Sequence, residues 1–159
     1  MNHRVIIDGL RILLVAAVLA IASIQLIFLP WLSGEVARDL PAEAFMRWPI
    51  LGLSIAGLAC VQVGLVSMFR LLGLTKAGDV FSSRALRWVD AIIGAALAAS
   101  LVCAATIVYQ SFTVGGPPVW MLLLWCGVLA GIGIALLMVV MRGLLVQATT
   151  LRYDMEAVI

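Results

Sequence analysis

ILGLSIAGLACVQVGLVSMF, residues 50–69, runs for twenty residues without a charge and is bracketed by Arg47 and Arg70. At about 1.5 Å per residue a helix of that length matches the roughly 30 Å hydrocarbon layer of a bilayer. A helix at the surface of a soluble core would carry a polar face, but the hydrogen-bonding side chains here are only Ser54, Gln62 and Ser67. Residues 50–69 therefore read as a membrane span.

Working outward, residues 12–32, 89–112 and 119–141 have the same character. The chain is 65% hydrophobic and 11% charged, with a mean hydropathy of +1.21; average globular chains are roughly 45–50% apolar and about 25% charged. A length of 159 residues is one domain's worth. The expectation is a single integral membrane domain over 1–159, with four spans and a tail at 142–159. Residues 14–23, LVAAVLAIAS, have the look of a signal peptide. The apolar run continues to Trp31, however, which predicts a retained first helix.

The basic residues orient the spans. Arg4, Arg11, Arg70, Lys76, Arg84, Arg87, Arg142 and Arg152 fall on one side, and only Arg38 and Arg47 on the other. Cytoplasmic loops carry the excess of Lys and Arg, so both termini and the central loop are expected in the cytoplasm. Trp31, Trp48, Tyr109, Phe112 and Trp120 would mark the outer boundary, and Phe69, Phe81 and Trp88 the inner one. Gly115-Gly116-Pro117-Pro118 predicts a tight turn between the last two spans. Residues 33–47 form an outer loop with a short helix from Ala42. Short connections make sequential helices antiparallel neighbours. The predicted fold is an all-α membrane protein, an up-down four-transmembrane-helix bundle with both termini cytoplasmic.

Small residues predict how the helices meet. Gly52, Ala56, Cys60 and Gly64 recur every four residues, and Gly127 and Gly131 repeat that spacing in the last span. In lipid such faces let backbones approach closely, either within the chain or between copies of it in a homo-oligomer.

Chemistry in a bilayer usually declares itself through ionisable residues at depth, and these spans hold almost none. His3 is the one histidine, and the three cysteines, Cys60, Cys103 and Cys126, lie in separate spans as small packing residues. No C-x-x-C pair, Gly-rich phosphate loop, H-E-x-x-H or G-x-S-x-G occurs. Neither catalytic residues, a metal site nor a cofactor is expected, and the chain does not read as an enzyme. A net charge of +2 is too small to suggest direct nucleic-acid binding.

Asp90 is the acid nearest a span. Counted from a cap at Ser82 or Ser83, it lies about 10–12 Å along the helix, near the inner boundary. An interfacial ion pair with Arg87, Arg70 or Arg142 is the expected role, and a proton or cation site the alternative. The neutral residues Gln25, Ser54, Gln62, Ser67, Ser100, Thr106 and Tyr109 are expected to bond across helices or to their own carbonyls rather than to line a path.

In the tail, Leu144, Ala148, Leu151, Met155 and Val158 recur at alternating steps of four and three. That is one apolar face of a helix, so the last span should continue as an amphipathic extension. Together with the 76–90 loop it forms a candidate cytoplasmic docking surface of Lys76, Phe81, Arg84, Arg87, Leu151, Arg152, Asp154 and Glu156. The acids of the tail could meet the bases of the loop.

These two segments also carry a resemblance. Gly78, Phe81, Ser82, Arg84, Leu86 and Arg87 in the loop, with Leu145, Ala148, Leu151, Asp154, Glu156 and Ile159 in the tail, resemble a YoaS-like family of small four-helix bacterial membrane proteins of unknown function. The likeness covers essentially the whole chain. Members are often encoded beside a small Xre-type helix-turn-helix regulator. The resemblance implies a multi-pass protein of the bacterial inner membrane that partners such a regulator, and brings no activity with it. The resulting expectation is a non-catalytic signalling or interaction protein, embedded in membrane lipid, that docks a small regulator or another membrane subunit. The alternative is a small transporter or channel component for a hydrophobic molecule or lipid.

Overall fold

The computed structural model describes residues 3–39, 41–76, 83–113 and 118–156, and among them all regular structure is helical. Helix α1 (His3–Ser23) passes through a π-helical turn (Ile24–Phe28) into α2 (Leu29–Asp39). A 3₁₀ turn (Pro41–Met46) leads into α3 (Arg47–Lys76), followed by α4 (Ser83–Thr113) and α5 (Pro118–Glu156). Four stretches are long and apolar enough to cross a membrane: Val5–Asp39, Pro41–Leu74, Arg84–Thr113 and Pro118–Leu151.

Proline accounts for three of the local choices. Pro30 has no N–H to donate, and its ring would strike the carbonyl of Leu26 four residues back in a regular helix. A wider turn immediately before it relieves that contact, and the Leu29 N–H bonds to the Ile24 carbonyl five residues back. Pro49 and Pro118 sit in the first turns of α3 and α5, where backbone N–H groups have no intrahelical partner to lose. The segment expected to be a loop after the first span is instead helical almost throughout. The first helix runs on to Asp39, and Pro41 starts a short 3₁₀ turn at about the position foreseen for a short helix.

Cross-helix contacts fix the arrangement. Arg11 lies over Phe69 and Gln25 bonds to Ile55, so residue numbers fall along α3 as they rise along α1. Gly57 faces Val102 and Arg70 lies over Trp88, giving the same opposed relation between α3 and α4. Asp90 with Arg142, Ser100 with Val128, and Gln110 with Trp120 repeat it between α4 and α5. The helices therefore pack as a row, α1 on α3 on α4 on α5, and no interface of similar extent joins α1 to α5. The sequence led to the expectation of a bundle; among the described residues the row is open at its ends. Bulky residues such as Ile12, Leu13, Leu26 and Ile27 stay exposed on the first helix. Lipid tails are as apolar as these side chains, so nothing drives their burial against α5.

Small residues build the tightest contacts. Ala85, Ala95 and Ala135 are buried, and the side chain of Ser100 sits between α4 and α5. Its Oγ donates to the carbonyls of Ala96 at 3.1 Å and Val128 at 3.3 Å. Gly131 lies directly against it, and a Cβ on Gly127 would come within 3.1 Å of the Cys103 sulfur. The small face expected on α3 behaves differently. A Cβ at Gly52 or Gly64 would meet nothing within 4 Å, and Gly52 and Ala56 are exposed, with Cys60 only half-buried. Among the described residues no helix packs closely against that face at Gly52 or Gly64. Sequence spacing identifies a small-residue face without identifying its neighbour, and here α4 is met by Gly57, one position round the helix.

Candidate functional site

Most of the chain's charged residues lie toward one end of the row, where the start of α1, the end of α3, the start of α4 and the second half of α5 come together, while Glu35, Arg38, Asp39, Glu43 and Arg47 lie toward the other. Asp90 and Arg142 join α4 to α5 there. Arg142 Nε donates to Oδ1 at 2.6 Å and Nη2 to Oδ2 at 3.4 Å, a forked pair with both side chains about half exposed, at 49% and 43%. Of the three partners expected for Asp90, the structure brings Arg142 to it. Arg70 lies over the Trp88 ring at 5.9 Å, and Arg87 is exposed and makes no ion pair among the described residues.

The proposed docking residues are only partly drawn together. Arg84 and Arg87 are exposed on the first turns of α4, and Leu151 and Asp154 are exposed on α5. Lys76 closes α3, while Arg152 and Glu156 lie on the last turns of α5. The side chains of these last three, and Phe81 altogether, lie outside the described residues. Among the described residues the ion pairs are Glu35–Arg38 and Asp90–Arg142, and neither joins Asp154 to Arg84 or Arg87. Helix α5 itself continues without interruption from Pro118 to Glu156.

The polar residues within the spans are mostly accounted for. Gln25 Nε2 donates to the Ile55 carbonyl at 3.1 Å, while Ser67 and Thr106 bond the carbonyls of Val63 and Val102 four residues back. At the opposite end Trp120 Nε1 donates to Gln110 Oε1 at 3.1 Å, and Arg47 Nε reaches Ser33 Oγ at 3.3 Å. Gln110 is buried and carries no sequence pattern that distinguishes it from its neighbours. Among the described residues no group of three His, Cys, Asp or Glu side chains stands close enough to hold a metal ion.

Sequence reasoning counted Arg11 only as a charge. In the structure its guanidinium lies over the Phe69 ring at 5.6 Å, and its Nε is buried with no hydrogen-bond partner among the described residues. Its nearness to residue 12, the start of the first span, was visible; the buried orphan donor was not.

Four apolar helices of spanning length, packed through small residues and with most of their charges toward one end, define a small helical protein of the membrane-spanning class. The chain belongs to the family described as protein of unknown function (DUF2975), which matches residues 31–159. No curated protein and no solved structure shows a significant match to it.

Proposed function

We propose that this chain is a non-catalytic, multi-pass protein of the bacterial inner membrane that docks a partner at its cytoplasmic end. Its four helices cross up and down with both termini inside. The eight-to-two distribution of Lys and Arg supports that orientation. The observation that carries the docking reading is the length of α5. Its 39 residues reach about 58 Å, nearly twice the roughly 30 Å a span requires. From Arg142 onward the helix continues for about 22 Å, measured at 1.5 Å per residue, beyond the level where it is tied to Asp90. Leu151 and Met155 are exposed on that extension, at 63% and 68%. An apolar stripe on a helix outside the hydrocarbon is the kind of ligand a groove in a partner protein accepts. The partner is a small helix-turn-helix regulator or another membrane subunit.

The alternative, a transporter for a hydrophobic molecule, gains nothing from the α4–α5 interface. Gly131, Ser100 and Gly127 bring those helices into contact and leave no passage between them there.

The test is affinity purification of the detergent-solubilised full chain beside a variant lacking residues 147–159, with mass spectrometry of what accompanies each. The expected result is a stoichiometric partner present with the first and lost with the second. Recovery of no partner with either chain would overturn the reading.

A further inference from the structure

We propose that Arg11, Phe69 and Gly73 form a headgroup site, a notch between α1 and α3 that takes the phosphodiester of an anionic phospholipid. The proposal rests on the helices crossing a membrane and is independent of any protein partner at the tail.

The starting point is an imbalance. Arg11 Nε is buried and, among the described residues, donates to no acceptor, and their ion pairs, Glu35–Arg38 and Asp90–Arg142, do not include it. A guanidinium N–H removed from water without an acceptor is costly, so such a group in a folded protein calls for a ligand, ion or water. The donor is also held in a set position. The Phe69 ring lies 5.6 Å from the guanidinium carbon, so a cation–π contact takes one face of the planar group. On α3, one turn further, a Cβ at Gly73 would stand 3.4 Å from Arg11 Nη2. Glycine thus lets the backbone of α3 come close to the guanidinium without crowding it. A planar fork held in this way is pre-organised for two oxygens of one anion, as carboxylate and phosphate present them.

The level of the notch selects between those anions. Phe69 and, beside Arg70, Trp88 lie where the apolar runs end, the depth at which aromatic rings meet lipid headgroups. Below Arg11 on the same side of α1, Val15 and Leu19 are exposed and apolar, and an acyl chain can continue along them from a headgroup at Arg11. Basic pockets between membrane helices on the cytoplasmic side recognise headgroups by this chemistry. A net negative headgroup is favoured over a zwitterionic one because the latter brings its own cation to the phosphate.

The experiment uses the purified full chain in detergent, with native mass spectrometry and thermal shift on addition of phosphatidylglycerol, phosphatidylcholine or inorganic phosphate. The wild-type chain is expected to retain phosphatidylglycerol in preference to phosphatidylcholine. R11Q should lower that retention about tenfold, the loss expected for one charge-assisted hydrogen-bonding group. R38Q, at the other end of the row, should leave it unchanged. R11K keeps the charge but loses the planar fork, and its retention should also fall. Equal retention of phosphatidylglycerol by R11Q and wild type would overturn the proposal. So would equal retention by R11K, which serves where R11Q does not survive purification. Stabilisation by millimolar inorganic phosphate equal to that by phosphatidylglycerol would show free phosphate to be the ligand and overturn the lipid assignment. Recovery of no protein partner by the full chain, with lipid retention intact, would count against the docking reading alone.

Discussion

Replacing Gly131 by alanine should damage the fold, whereas the same change at Gly64 should not, and the structure gives the size of the difference. A Cβ at Gly131 would overlap Ser100 Oγ and stand 2.9 Å from the Ala96 carbonyl oxygen. The hydroxyl can rotate away, but only by giving up its bond to the Val128 carbonyl on α5, a type of contact worth about 0.6 kcal/mol in membrane helices. The carbonyl is backbone and cannot rotate, so α4 and α5 must separate. Overpacking of this kind costs roughly 1–3 kcal/mol. Alanine returns up to about 1 kcal/mol through its better helix propensity. The net expectation for G131A is a loss of about 2 kcal/mol, taking the upper part of the overpacking range because backbone is involved. At Gly64 nothing lies within 4 Å of the added methyl, leaving only the propensity gain of at most about 1 kcal/mol. Denaturation in mixed micelles with increasing SDS, followed by circular dichroism, measures both variants on one scale. The two should differ by about 2–3 kcal/mol, with G131A the weaker. Adding Ser100→Ala to G131A should recover part of the loss, since it removes the hydroxyl overlap and leaves the carbonyl contact. A G131A chain within about 0.5 kcal/mol of G64A would refute the reasoning, because surface-like tolerance is of that size. A G64A chain as damaged as G131A would also refute it, by showing that the open face of α3 is packed against something.

Two further substitutions have smaller expected effects. Asp90→Asn should cost no more than about 1 kcal/mol in the same denaturation, because both partners are half exposed to solvent, and the exchange D90R with R142D should restore most of that loss. A loss several times larger would mean that the pair lies in a drier setting than its exposure indicates. Gln25→Leu removes the bond to the Ile55 carbonyl and should cost about 0.6 kcal/mol in the same denaturation, loosening α1 from α3; a loss near zero would show that the bond does not help to hold the two helices together.

The spans were legible because hydropathy is a one-dimensional property: twenty uncharged residues suffice to identify a span, and no partner has to be known. The charge asymmetry was legible for the same reason. What sequence could not supply was which face meets which. Gly52 and Gly64 have the spacing of a packing face and meet no neighbour within 4 Å of an added Cβ, while Gly127 and Gly131, with the same spacing, make the closest approaches among the described glycines. The difference lies in the facing helix, where Cys103 and Ser100 happen to be short enough to receive a glycine. The π-helical turn was legible in principle, since Pro30 lies within a run too apolar to end there. Arg11 was not, because an orphaned donor is a statement about every neighbour at once.

Asp90 shows how such a choice among neighbours is made. Arg87 is three residues away on the same helix, and Arg142 is 52 residues away on another, yet the pair forms with Arg142. A pair within one helix has the base ahead of the acid here, the weaker order against the helix dipole, and fastens the helix only to itself. Arg142 instead meets both carboxylate oxygens, and a forked charge-assisted contact is stronger and more directional than a single one. An exposed pair of this kind adds little stability. Its consequence is positional, because together with the Gly131–Ser100 contact it fixes the height of α5 against α4. If the chain crosses the membrane as proposed, that height would set where the extension beyond Arg142 leaves it and how much of its apolar stripe stands clear of the lipid. If α5 slid by one turn, about 5.4 Å, Leu144 would exchange places with Ala148 at the boundary and the stripe offered to a partner would shorten by a turn. On the docking reading proposed above, the ion pair would act through register, even though it contributes little to holding the fold together.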